Sequence, residues 1–135
     1  GYTFDSACKG DVYDLVNSKS LLLGGLTVAT YDVVSSLGDI RPRRIQGRQG
    51  ADIASASSIA FGDGNFFAIT GTTTITTIST SGWSDGSVVH AYFGSNLTLD
   101  TGGGNLVRAG GNLAVLANQV ITFVMDASSW IIIEN

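Results

Sequence analysis

Hydrophobic residues in the second half of the chain fall into short runs separated by residues typical of turns. Gly, Asn and Asp stand between the runs, which are rich in β-branched and aromatic side chains. The runs span residues 69–79, 87–93, 96–99, 105–107, 112–116, 119–125 and 129–133. Runs cut by residues that tolerate positive φ angles are typical of an antiparallel sandwich or barrel. The pattern therefore predicts an all-β fold with no helix in this region.

Two of these runs, residues 87–93 and 119–125, carry apolar side chains on both sides of the predicted strand. One side comprises Val89, Ala91, Phe93, Ile121, Phe123 and Met125. The other comprises Val88, His90, Tyr92, Val120, Thr122 and Val124. A strand that is apolar on both faces is normally buried on both faces. In a domain of this size we expect the second face to meet another subunit.

Composition supports an oligomer and excludes several classes of function. Only 13% of the 135 residues are charged, against about 25% in typical soluble domains, so apolar surface is expected to be buried between subunits. A net charge of −4 disfavours nucleic acid as a partner. No apolar run reaches the length of a membrane span or resembles a signal peptide. Because the chain starts at Gly1 and its single Met is Met125, we interpret it as a fragment of a longer protein.

The first part of the chain has a different pattern from the rest. Residues 1–40 mix Asp with short apolar runs, and residues 21–34 read as two strands around Gly24-Gly25. Strands joined by tight Gly turns suit the coils of a β-solenoid. Alternatively, residues 11–18 form a helical turn. The single proline, Pro42, and the small residues that follow it indicate a linker over residues 41–60, ahead of a domain at residues 61–135.

Four of the seven basic side chains cluster in this linker, at Arg41, Arg43, Arg44 and Arg48. The favoured interpretation is that they pair with Asp residues of the first segment or of a neighbouring subunit. The alternative is that the guanidinium groups, Arg43 and Arg44 above all, bind an anionic group of a surface polysaccharide in bidentate fashion.

Seven short motifs are spread over residues 69–130. They are Ile-Thr-Gly-Thr-Thr-Thr-Ile at 69–75, Gly-Ser-Val-Val-His-Ala-Tyr-Phe at 86–93, Leu-Thr-Leu at 97–99, Asn-Leu-Val at 105–107, Gly-Gly-Asn-Leu at 110–113, Val-Ile-Thr-Phe-Val at 120–124 and Trp130. Together they make residues 66–135 resemble the C-terminal β-sandwich of bacteriophage tailspikes and tail fibres, which closes a trimer behind a right-handed parallel β-helix. Arg108 departs from the family, where a proline or a small residue is common.

The resemblance implies an antiparallel β-sandwich at residues 61–135, a neck at 41–60 and the last β-helix coils at 1–40. It further implies a homotrimer at the distal end of a phage tail. There the module would stabilise the spike and contribute to host-cell attachment.

The residue types of the chain give little support for a catalytic site or a metal site. His90 is the single histidine, and no Gly-x-Ser-x-Gly elbow accompanies it, so a packed or hydrogen-bonded strand histidine is expected. One Cys and one His disfavour zinc. Asp pairs in residues 1–40 could hydrolyse a glycoside, but tailspikes generally carry their catalytic carboxylates on the main β-helix. We therefore expect no catalytic residue, metal or cofactor in this chain.

The remaining candidates are aromatic side chains that could stack on sugar rings, namely Trp83, Tyr92 and Trp130. Trp83 lies in the predicted loop at 81–86, where packing against a neighbouring subunit is favoured over sugar binding. The leading hypothesis is a trimerisation module. The alternatives are a carbohydrate-binding module for host polysaccharide and a fragment of a polysaccharide depolymerase.

Overall fold

The computed structural model describes residues 43–134, which fold into β-strands without a helix. The strands are β1 (Ile53–Ala54), β2 (Ser58–Ile59), β3 (Phe66–Thr70), β4 (Thr77–Ile78), β5 (Val88–Phe93), β6 (Leu97–Leu99), β7 (Leu106–Val107), β8 (Leu113–Val115), β9 (Gln119–Asp126) and β10 (Ser129–Glu134). The predicted all-β class is confirmed. The predictions for residues 1–40, and for Arg41 and Pro42, lie outside the described residues.

Three successive passes of the chain stack in parallel. β1 pairs with β3 and β3 with β5, which places Ile53 beside Ile69 and Phe66 beside His90. Further along each pass, β2 pairs in parallel with β4, and an isolated bridge joins Ile75 to Leu99. Parallel pairing repeated from pass to pass is the arrangement of a β-solenoid.

These parallel pairs differ from the wholly antiparallel strands predicted for residues 61–135, while the sandwich itself stays a prediction. The hydrophobic pattern of a strand does not reveal the direction of its neighbour. The connection between β3 and β5 includes β4 and is long enough for the crossover that parallel strands need. Parallel stacking therefore spans residues 53–99, which include the end of the predicted linker at 41–60 and the first part of the predicted sandwich.

Antiparallel strands follow the parallel passes. β9 pairs antiparallel with β5 and β10 with β9, while β8 pairs antiparallel with β6. The result is a mixed six-stranded sheet in the order β1-β3-β5-β9-β10-β7, with two small sheets, β2-β4 and β6-β8. The turn between β9 and β10 consists of Ala127 and Ser128, both with positive φ, as two-residue hairpin turns require. Asp85 supports this turn by accepting a 3.0 Å hydrogen bond from the Ala127 N–H.

The core lies on one face of the six-stranded sheet. The buried side of the sheet comprises Phe67, Ile69, Val89, Ala91, Phe93, Leu106, Ile121, Phe123, Met125, Trp130 and Ile132. Phe61, which is in no strand, places its ring 5.2 Å from Trp130, 5.3 Å from Phe67 and 5.6 Å from Phe123. The two small sheets add buried side chains such as Ile59 and Leu99. The described part of the chain therefore fills a hydrophobic core of its own.

Candidate functional site: the outer face of the sheet

The face of the six-stranded sheet that points away from the core is also apolar. We call it the outer face. It consists of Phe66, Ala68, Val88, His90, Tyr92, Val107, Val120, Thr122, Val124, Ile131 and Ile133, all of them exposed or half-buried. None of these residues is charged, and the same side of β9 ends at the exposed Asp126. One side of β5 and β9 enters the core and the other forms the outer face, and burial of this second face against another subunit stays a prediction.

An aliphatic row crosses four strands of the outer face. Val88 lies beside Val124, Val124 beside Ile131, and Ile131 beside Val107. Directly opposite residues in a sheet have Cβ atoms about 4.5–5.5 Å apart, so the row is one continuous stripe. Val88 at its β5 end is 44% exposed and Val107 at its other end is 48% exposed. A ligand or partner that covered this stripe would bury apolar surface across the width of the sheet.

A polar pair stands in the middle of this face. Phe66, His90, Thr122 and Ile133 are neighbours across β3, β5, β9 and β10. His90 Nδ1 lies 2.9 Å from Thr122 Oγ1, so the two polar side chains form a hydrogen bond with one another. This result fits the expected hydrogen-bonded strand histidine.

Two further polar contacts lie near the margins of the face. The Tyr92 hydroxyl donates to Asn118 Oδ1, which fixes the ring of Tyr92 against the turn before β9. At the far end of β10, Glu134 forms a 2.7 Å ion pair with Arg108. Arg108, the residue that departs from the family pattern, also donates to the carbonyls of Gly111 and Asn112. It therefore holds the chain after β7 to the end of β10.

The two tryptophans belong to the core side and not to an exposed sugar site. Trp130 is fully buried, and its indole N–H donates to the Ser79 carbonyl at 3.3 Å. Trp83 is half-buried, with its ring edge-to-face at 5.6 Å from Trp130 and 6.2 Å from Phe61. Trp130 thus has no ring face free for a sugar, which corrects its assignment as a stacking residue. Trp83 packs against its own chain, where packing against a neighbouring subunit was favoured.

The basic residues lie in an exposed segment ahead of the first strand. Arg43 and Arg44 are exposed. Arg48 forms a 2.8 Å ion pair with Asp63, a residue of the same domain. Both side chains of this pair are more than two-thirds exposed, and pairs of this kind contribute at most about 1 kcal/mol. Within residues 43–134, no hydrogen bond or ring contact joins Arg43 or Arg44 to Tyr92 or Trp83.

The carboxylates nearest to His90 in sequence accept hydrogen bonds from backbone N–H groups in turns. Asp85 binds the Ala127 N–H, and Asp100 accepts a 2.8 Å hydrogen bond from the Gly102 N–H. His90 has a threonine hydroxyl as its hydrogen-bond partner, not a carboxylate. No cluster of three His, Cys, Asp or Glu suited to a metal ion occurs among the residues described. No helix in that part of the chain is long and apolar enough to cross a membrane.

Comparison with known proteins does not place the chain in a family. No protein-family model, no curated protein and no solved structure matches it. Function is therefore inferred from the outer face and its chemistry.

Proposed function

We propose that this chain is a self-assembly module that forms a homotrimer through its outer face. The observation that carries the proposal is the largely apolar surface on the side of the sheet opposite a core that is already filled. Contiguous apolar patches of this kind on soluble proteins mark interaction sites. The sheet has two apolar faces, and the fold of residues 43–134 covers only one of them.

The chemistry of the outer face suits a protein partner. Centres of protein interfaces are depleted of charged residues and enriched in aromatic ones, and the outer face places Phe66 and Tyr92 among aliphatic side chains. Identical copies are the simplest partner. Because only 13% of the residues are charged, two copies of the chain repel one another little where they meet. Burying the row from Val88 to Val107 removes aliphatic surface from water at roughly 25 cal/mol per Å².

The number of copies and the biological setting come from the resemblance to phage tailspikes. The parallel passes followed by antiparallel strands support this setting, since a tailspike ends where a β-helix gives way to a trimerising domain. In that setting the module holds three chains together at the distal end of the tail and contributes to host attachment. Chains joined in this way must separate before they unfold, which gives the spike kinetic stability.

The alternatives have less support. For a carbohydrate-binding module, Arg43 and Arg44 are accessible, but Trp130 is buried and Trp83 is engaged in the core. For a depolymerase fragment, the candidate aspartates of residues 1–40 lie outside the described residues. We propose no enzymatic activity for residues 43–134, because the carboxylates near His90 in sequence support turns.

A charge placed on the outer face tests the proposal. Val124→Asp puts a carboxylate in the aliphatic row between Val88 and Ile131, and an unpaired charge buried in an interface costs several kcal/mol. Thr74→Asp, in the exposed loop after β3, is the matched control. We expect Val124→Asp to run as a folded monomer in size-exclusion chromatography with light scattering, while Thr74→Asp stays trimeric. Trimers for both variants would overturn the proposal.

A further inference from the structure

His90 occupies the centre of the outer face. On its two sides it faces Phe66 of β3 and Thr122 of β9. Along its own strand the neighbours on the same face are Val88 and Tyr92. A partner that covers the outer face therefore covers the imidazole.

His90 is the only histidine in the chain. Imidazole has an ordinary pKa of about 6.5, and it is the side chain that changes charge between pH 5 and 8.

Within residues 43–134, the strand positions directly beside His90 on the outer face carry no carboxylate. Among the described residues of the outer face, β3 presents Phe66 and Ala68, β10 presents Ile131 and Ile133, and β9 presents Thr122 between two valines. Tyr92 on β5 and Asp126 at the end of β9 are further titratable groups on this side of the sheet, and the Tyr92 hydroxyl donates to Asn118. The nearest carboxylates of the flanking strands stand at their ends, with Asp126 at the end of β9 and Glu134, paired with Arg108, on β10.

We propose that His90 makes the trimer dissociate in mild acid, so that protonation of this one residue controls assembly. The inference rests on the proposed function, since it requires the outer face to be the interface. A neutral imidazole hydrogen-bonded to Thr122 can be buried at little cost, whereas an imidazolium without a counter-ion cannot. Three copies around a threefold axis multiply the effect, because each brings one such cation to the interface.

The direction of the pH dependence follows from linkage. A partner that covers the outer face favours the neutral form of the imidazole, since burial disfavours the charged form. Assembly is therefore strongest above about pH 6.5 and weakens as the pH falls below it. With three sites, a fall of one pH unit in this range lowers the association constant by up to about a thousandfold.

The test measures the mass of the 135-residue chain by light scattering between pH 8.0 and pH 5.5, with tryptophan fluorescence as a check of folding. We expect the wild-type chain to be trimeric at pH 8.0 and a folded monomer at pH 5.5. His90→Gln, neutral at every pH, should remain trimeric throughout, and His90→Asn provides a second neutral variant. His90→Arg should be a folded monomer throughout. Thr122→Val retains His90 and should keep the acid transition.

The outcomes separate this inference from the proposed function. A wild-type monomer at pH 8.0 would overturn both. A trimer that persists to pH 5.5 in the wild type, or one that dissociates at the same pH in the wild type and both neutral variants, would overturn the role of His90 and leave the trimer standing.

Discussion

The side chain of Asn105 pairs with both backbone polar groups of Ile78. Its Oδ1 accepts from the Ile78 N–H at 3.0 Å, and its Nδ2 donates to the Ile78 carbonyl at 2.7 Å. The Asn105 carbonyl in turn accepts from the Trp130 N–H at 2.8 Å. One asparagine therefore takes the place of a strand neighbour beside β4 and connects β4 to β10.

Replacing Asn105 by Ala should destabilise the fold. Ile78 is fully buried, so its N–H and C=O would lose their partners where water cannot easily replace them, at about 1–3 kcal/mol for each group. Urea unfolding at a fixed protein concentration measures the loss. Asn112→Ala is the matched control, because Asn112 is exposed and its hydrogen bond from the Thr101 N–H can pass to water. Equal losses for the two variants would contradict the role given to Asn105.

Gly104 is expected to be far less tolerant of substitution than Gly103. A Cβ at Gly104 would lie 1.9 Å from the Thr76 carbonyl oxygen, whereas a Cβ at Gly103 would meet nothing within 4 Å. Gly104→Ala must push the chain away from β4 and should lower the free energy of unfolding by about 1–3 kcal/mol, as overpacking does. Gly103→Ala should leave the thermal midpoint nearly unchanged. If both variants have the thermal midpoint of the wild type, Gly104 is not closely packed against Thr76.

Trp83 is expected to act in stability and not in sugar binding. Its ring meets Phe61 and Trp130 edge-to-face, and such aromatic pairs contribute about 0.5–1.5 kcal/mol each beyond the burial of area. Trp83→Ala should therefore lower the free energy of unfolding by roughly 2–3 kcal/mol, and Trp83→Phe by less. Binding of the variants to bacterial surface polysaccharides provides the second measurement. Lost binding with unchanged stability would instead favour a glycan site.

The sequence pattern predicted the strands and their buried sides well. β5 and β9 were recognisable because apolar residues fill every second position from Val89 to Phe93 and from Ile121 to Met125, and this alternation depends only on the strand itself. The turn-forming residues between the apolar runs also lie in turns of the structure. Gly82 and Gly86, for example, have positive φ. Local signals of this kind can be read without knowing the rest of the fold.

The pairing of the strands could not be read in the same way. Whether β3 lies parallel to β5 depends on the path of the intervening chain, which no local pattern records. The bridging role of Asn105 also depends on a contact with Ile78 across a long stretch of sequence. The contact of Trp83 with Trp130 could not be read from the sequence either, because the direction of a loop side chain depends on the rest of the fold.

Light scattering on the wild-type chain at pH 8.0 and micromolar concentration tests the central claim most directly. If the outer face joins three copies, the mass is three times 14.0 kDa and does not change on moderate dilution. A single species of 14.0 kDa with the same β-sheet spectrum would contradict the trimer and the function proposed for the outer face.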